Sequence, residues 1–230
     1  MAEEARRNYI KYTFYKAAPE WRRLSKEERS CGSQEFVAAV DAFSDEMQSF
    51  SYNLQGMRGD ADFMLWQVAA RLETLQEAAG RVANTGLGRY LTTPYSYLAM
   101  TKHSPYVEHH RHAGQEGTSS APRPKGAKYL FVYPFVKTRA WYRLSAEERQ
   151  RMMNEHFVTG HKYPTVKINT AYSFGLDDQE FVLGFETDSP GDFLDLVMAL
   201  RESEASSYTL RDTPIFTCVS MPLKEILEAL

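Results

Sequence analysis

The chain states one phrase twice. Phe14-Tyr15-Lys16 runs on to Trp21-Arg22-Arg23-Leu24-Ser25-Lys26-Glu27-Glu28-Arg29, and Phe135-Val136-Lys137 runs on to Trp141-Tyr142-Arg143-Leu144-Ser145-Ala146-Glu147-Glu148-Arg149. Trp141 lies 120 positions after Trp21, so roughly half the chain has been duplicated. A second stretch agrees, Asp62-Phe63-Met64-Leu65 reading like Glu180-Phe181-Val182-Leu183. A duplication restricts the fold to two similar units that share an interface. It also shows where the units differ: at the same offset His156 falls opposite Phe36, which cannot bind a metal. The fold repeats and the chemistry does not.

Each half reads as strand, helix, strand, strand, helix, strand. In the second half, residues 128 to 137 alternate, with Tyr129, Phe131, Tyr133, Phe135 and Lys137 on one face, as in a half-buried strand. Ser145-Ala146-Glu147-Glu148 is a capping box that opens a helix to about Thr159, with Gly160 as its stop. Strands at 165–174 and 179–186 follow, joined by Gly175-Leu176-Asp177-Asp178. A helix from Ser189-Pro190 turns Phe193, Leu196, Val197 and Leu200 to a sheet; a strand at 215–221 and a short helix at 223–230 close the unit. In the first half Ser25-Lys26-Glu27-Glu28 is again a capping box, and Phe36, Val37, Val40, Phe43 and Met47 have helical spacing. Strands at 49–57, 62–69 and 95–101 and a helix from Leu72 to about Tyr90, broken near Gly86 or Gly88, complete it. The expected fold class is α+β: two ferredoxin-like repeats forming a dimeric α+β barrel-like chain. The expected units are 1–102, a His/Gly/Pro-rich linker 103–127, and 128–230.

Charge and hydropathy narrow the class of partner. The 27 basic and 30 acidic residues leave a net charge of -3 and no field suited to nucleic acid. No run of about 18 apolar residues offers a membrane span, and the Met-Ala-Glu-Glu start lacks the apolar stretch of a signal peptide. A cytoplasmic location is expected. Cys31 and Cys218 sit in opposite halves without metal or redox spacing, as two isolated thiols would in a reducing compartment.

Several residue types invite chemistry, each with a plainer alternative. His156 lies near the buried side of its helix, one turn after Met152, where a neutral imidazole either binds a metal or donates to a carbonyl. Zinc needs three or four ligands and the one neighbour, His161, is past the helix stop, so a single axial bond to a porphyrin iron fits better. His109-His110-Arg111-His112 is a metal tract or a solvated loop. Tyr133 and Lys137, sharing a strand face, could hold a carboxylate or do redox work, or could be rim residues with polar tips. Arg201 could clamp a carboxylate or complement its helix dipole, and Trp141 reads as core. No Gly-rich phosphate loop or nucleophile elbow is present.

Taken together, Tyr133-Pro134-Phe135-Val136-Lys137, Trp141-Tyr142, His156, Gly175-Leu176-Asp177-Asp178 and Leu200-Arg201-Glu202-Ser203-Glu204-Ala205 resemble the chlorite dismutase superfamily, and within it the coproheme decarboxylases of the actinobacterial type. The resemblance implies two ferredoxin-like domains, an iron porphyrin in the second, and a homopentamer. It also implies peroxide-dependent decarboxylation of iron coproporphyrin III (coproheme) to haem b through a tyrosyl radical. By position it makes His156 the iron ligand, Tyr133 the radical site, Lys137 the partner of a propionate, Trp141 a neighbour of the reactive propionate and Arg201 a further cofactor contact. A distal histidine acting as base toward hydrogen peroxide follows about nine residues after His103-Ser104-Pro105, which gives His112, with His110 as the alternative. Ile168 or Lys167 stands near the place where chlorite dismutases carry a distal arginine. Chlorite turnover with haem b and a non-catalytic haem or coproheme carrier are the competing readings. Ferrochelatase is an expected transient partner.

Overall fold

The computed structural model describes residues 7–104, 106 and 124–230. The first half runs β1 (Tyr9–Ala17), α1 (Lys26–Asp41), β2 (Met47–Asn53), β3 (Phe63–Ala69), α2 (Leu72–Ala83) and β4 (Leu91–Met100). The second runs β5 (Tyr129–Lys137), α3 (Arg139–Arg143), α4 (Ala146–Gly160), β6 (Lys167–Tyr172), β7 (Phe181–Thr187), α5 (Pro190–Arg201), β8 (Thr209–Arg211) and β9 (Phe216–Ser220), followed by α6 (Leu223–Glu228). Both predicted capping boxes form: Ser25 and Ser145 each accept from the backbone N–H of the glutamate three residues on, whose carboxylate reaches back. No described helix is long and apolar enough to cross a membrane.

The first half pairs its strands in the order β4-β1-β3-β2 and the second in the order β9-β5-β7-β6, all antiparallel, which is the order of a ferredoxin-like unit. β4 then joins β6 and β2 joins β9, so eight strands close into a barrel with β8 added beside β5. Closure removes the sheet edges. Both seams are short, Met100 opposite Tyr172 in one and Tyr52-Asn53 opposite Ser220-Val219 in the other. Side chains reinforce the first. Asp177 accepts from the Leu98 N–H (2.7 Å), while Ser173 donates to the Leu98 carbonyl (2.7 Å). The Gly-Leu-Asp-Asp turn, with Gly175 at φ +73°, thus fastens one half to the other.

The inward strand faces of both halves form one core, including Tyr12, Phe14, Trp66, Leu130, Val132, Val182 and Phe216. Helices cover the outside. In the first half α1 and α2 lie over β1 and β3, and α6, at the far end of the chain, crosses back to join them through Ile226, Leu227 and Leu230. Burial of each such side chain is worth about 1.5–3 kcal/mol. Every residue of β3 is buried, because one face meets the barrel core and the other the helices.

Some expected boundaries shift. Met47 opens β2 instead of extending α1, which ends at Asp41, and residues 54 to 57 turn away from the strand. α2 stops at Ala83, before the glycines, and β4 starts earlier than expected at Leu91. α3, the 3-10 turn Glu204–Tyr208 and β8 are too short for a periodicity reading to find. The ladder also corrects the register of the repeat. Asp62 donates its N–H to Tyr15, as Glu180 does to Phe135, so Ala17, and not Lys16, occupies the place of Lys137. All of Thr13/Tyr133, Ala17/Lys137, Trp21/Trp141 and Phe36/His156 then share the offset of the two tryptophans.

Candidate functional site

The outer face of the second half is built by cross-strand register. Tyr133 lies opposite Leu183, and Leu183 opposite Thr170; Phe131, Phe185 and Ile168 form the next row, and Phe135, Phe181 and Tyr172 the one beyond. α5 covers one end of this face, where Phe193 stacks on Phe131 (4.0 Å between ring centroids) and packs on Phe185. The β6 end has no such cover among the described residues: Ile168 is 48% exposed and Thr170 and Tyr172 are partly exposed. In the first half the matching space, between α1 and β2, is filled by α6. The first half of the barrel is plugged by α6, which arrives from the end of the second half, and the second presents an apolar strip on the half whose helix α4 carries His156.

His156 is half-buried on α4, and burial lowers its pKa to about 4, with the nearby charge of Lys137 acting in the same direction. Its imidazole is therefore neutral at ordinary pH, the state in which a ring nitrogen can bind iron. Among the described residues no three His, Cys, Asp or Glu side chains are grouped so that they could hold a metal ion together, and His156 belongs to no such group.

Lys137 ends β5 with its ammonium over the Trp141 ring (4.4 Å to the centroid) and donating to the Ala205 carbonyl (2.7 Å). Burial pushes its pKa down to about 8, and the carboxylate of Glu180 pulls the other way. Trp141 is 3% exposed and packs with Met152 and Ala205. It is core, as its composition suggested, and it is also the floor on which Lys137 rests. The packing here differs from the first half by an exchange of residue sizes. Gly32, which stands where Met152 does, presses so closely on residue 87 that a Cβ would lie 2.8 Å from the Leu87 nitrogen. A large residue on the helix faces a small one on the loop in the second half, and the reverse holds in the first.

Tyr133 is 8% exposed and lies parallel to Phe185 (5.8 Å between centroids). Burial, and then the negative charge of Asp212, raise its pKa well above the ordinary phenol value, so it is a neutral phenol. Arg201 sits nearby but is already paired with Asp212. The structure thus brings Lys137, Trp141 and His156 together and sets Tyr133 on the adjoining strip, with Arg201 reached through Asp212. Ile168 shares that strip; Lys167 points to the other face of β6. His112 and His110 lie outside the described residues. The described ends of their segment are anchored at opposite ends of the β6–β7 pair. Tyr106 packs near Trp141 and accepts from Gln150, and Lys125 donates its N–H to Glu186.

Sequence reasoning passed over Glu180, reading it only as the partner of Asp62. Its Oε2 accepts from the Lys137 N–H (2.8 Å) and from the Tyr142 hydroxyl (2.5 Å), with Arg139 3.9 Å from Oε1. Asp62 makes the matching bond to the Ala17 N–H (2.8 Å). The signal available was the aspartate-to-glutamate change, which supplies the extra reach.

The second half of this closed α+β barrel thus sets an apolar strip, a neutral histidine and a half-buried lysine on one side of the chain. The chain belongs to the chlorite dismutase family, whose model matches residues 29–221. It is 33% identical over 180 residues to the coproheme decarboxylase of Mycolicibacterium smegmatis, covering 78% of this chain and 75% of that one. Its fold matches chlorite dismutase from Candidatus Nitrospira defluvii in complex with imidazole, with a TM-score of 0.89 and 29% identity over 99% of this chain and 96% of that one. A haem-binding protein from Thermus thermophilus is also similar, with a TM-score of 0.81 and 25% identity over 96% and 94% of the two chains.

Proposed function

We propose that this protein catalyses the hydrogen-peroxide-dependent oxidative decarboxylation of iron coproporphyrin III, converting two propionates to vinyl groups and yielding haem b. The observation that carries the reading is the trio of neutral His156, half-buried Lys137 and strip-facing Tyr133 on the half that lacks the α6 cover of the other. The site fits the group. The strip of Ile168, Leu183 and Phe185 suits an apolar macrocycle, His156 a ferric or ferrous iron, and Lys137 a carboxylate. The relative from Mycolicibacterium smegmatis supports the choice of substrate.

When bound and activated by peroxide, the iron porphyrin supplies the oxidising power. The chain does the rest. His156 holds the iron through one imidazole nitrogen. Lys137 holds a propionate carboxylate, which restores full charge to an ammonium that burial disfavours. Tyr133 would give one electron to the oxidised substrate and its hydroxyl proton to the substrate's propionate carboxylate, and the tyrosyl oxygen would then take a hydrogen atom from the propionate side chain. Loss of carbon dioxide and a second electron leaves the vinyl group. Each propionate thus releases two electrons and each peroxide consumes two, becoming water. His112 is the proposed base that takes a proton from peroxide and returns it to the departing oxygen. Chlorite turnover is the weaker reading, because hypochlorite is an anion that needs a positive partner and Ile168 offers an apolar one.

The test is to load the apoprotein with iron coproporphyrin III, titrate hydrogen peroxide and follow porphyrin mass. Loss of two carboxyl groups, ending at haem b, is the expected outcome. Binding with an unchanged mass or with bleaching alone contradicts it.

A further inference from the structure

Tyr133 and Tyr142 differ in what can receive their proton. A phenol is hard to oxidise while it keeps its proton, so a tyrosine that yields an electron readily is one with a base in hydrogen-bonding contact. Tyr133 has Asp212 and Arg201 as charged neighbours, and those two are paired with each other. Tyr142 donates directly to the carboxylate of Glu180, a residue only 8% exposed. Burial and that hydrogen bond raise the Tyr142 pKa far above the usual phenol value, so it does not ionise on its own; proton and electron have to leave together. Tyr142 also lies one residue from Trp141, the floor under Lys137, and its ring meets Phe174 edge-on at 6.0 Å. The first half has nothing comparable. At the matching position Arg22 donates to the Leu230 carbonyl, tying down the C-terminal helix that plugs that half.

We propose that Tyr142, hydrogen-bonded to Glu180, is a second redox-active tyrosine that holds oxidising equivalents which the substrate does not consume. In this step Tyr142 loses one electron to the peroxide-oxidised substrate site and its hydroxyl proton moves to the Glu180 carboxylate, leaving a neutral tyrosyl radical and a protonated Glu180. A one-electron reductant from solution, such as ascorbate, returns the electron, and Glu180 returns the proton. Tyr142 is partly exposed, so such a reductant can reach it. The electron source for the forward step rests on the decarboxylase reading. The tyrosine–carboxylate pair itself does not.

The experiment has two arms, each read by spin trapping and peptide mass mapping. Trypsin separates Tyr133, on the peptide 129–137, from Tyr142, on 140–143. In the first arm, coproheme-loaded protein receives hydrogen peroxide; in the second, the apoprotein receives a photogenerated one-electron oxidant. The expected result in both is a trap adduct on Tyr142 that vanishes in Tyr142→Phe and falls about tenfold or more in Glu180→Gln, as removal of a positioned proton acceptor requires. Thermal melts of both variants establish that they are folded. Adduct on Tyr142 in the apoprotein alone supports the redox pair and counts against the decarboxylase reading. Adducts spread over other tyrosines in both arms, or a Glu180→Gln variant labelled like the wild type, overturn the proposal.

Discussion

The two halves of this barrel share a strand order, two capping boxes and a tryptophan at the same place, and they differ at three positions that decide what each can do. Thr13, Ala17 and Phe36 in the first half correspond to Tyr133, Lys137 and His156 in the second. Phe36 is fully buried, packed edge-on against Tyr15 and Phe63, in a layer sealed by Ile226 and Leu227 of α6 and by Leu230. His156 is half-buried in the half whose strip is covered by α5 at one end and leaves Ile168 48% exposed at the other. One half closes its outer layer with α6, and the other leaves part of that layer exposed. Duplication supplies a stable frame twice, so the loss of apolar contacts in one copy can be tolerated because the closed barrel core is shared.

The comparison can be broken most severely at Tyr133. Tyr133→Phe keeps the ring and its packing on Phe185, so coproheme affinity stays within about twofold while decarboxylation falls by about 1,000-fold or more, since the step made through the hydroxyl has no substitute. Spectral titration and porphyrin mass, measured on one sample, check both halves of the statement.

Ile226→Ala attacks the plugged half. Truncating a fully buried isoleucine costs about 2–5 kcal/mol, read as a lowered urea midpoint, with coproheme affinity of the folded protein unchanged. A variant that weakens coproheme binding and leaves stability intact would mean that α6 serves the site instead.

Lys137→Ala removes one charged hydrogen-bond partner for a carboxylate and should weaken coproheme binding by about tenfold, near 1.4 kcal/mol. The pH dependence separates charge from packing. The free ammonium titrates near 8, so wild-type affinity falls as pH rises past about 8, and the variant shows no such fall. Equal pH profiles would remove Lys137 from the carboxylate contact.

The smallest effect is in the stability of the apoprotein. His156 has its pKa lowered from 6.5 to about 4, so between those values the unfolded chain binds a proton that the folded chain refuses. The stability is complete above pH 6.5 and is lost as pH falls toward 4. In His156→Phe that part of the acid destabilisation disappears, which chemical denaturation at a series of pH values detects.

Much of this was legible in the sequence because it was written twice. The repeated phrase fixed the offset that sets His156 against Phe36, and alternation along 129–137 placed Tyr133 and Lys137 on one face. The register of the phrase itself was off by one at its lysines. Side-chain likeness aligned Lys16 with Lys137, whereas the backbone ladder, anchored by Asp62 and Glu180, aligns Ala17. What was not legible depends on contacts across long separations. No local pattern says that α6 returns to the first half, that the Gly-Leu-Asp-Asp turn fastens β4 to β6, or that Glu180 reaches Tyr142. α3 and β8 escaped because a few residues carry no period.

The most direct test of the account is to titrate the apoprotein with iron coproporphyrin III and follow its absorption band in the wild type and in His156→Phe, the variant that copies the first half. The account predicts one porphyrin per chain in the wild type. In the variant it predicts a loss of affinity of about 100-fold, near 2.7 kcal/mol, together with loss of the histidine-ligated spectrum. Two porphyrins per chain, or an unchanged spectrum and affinity in His156→Phe, would contradict it.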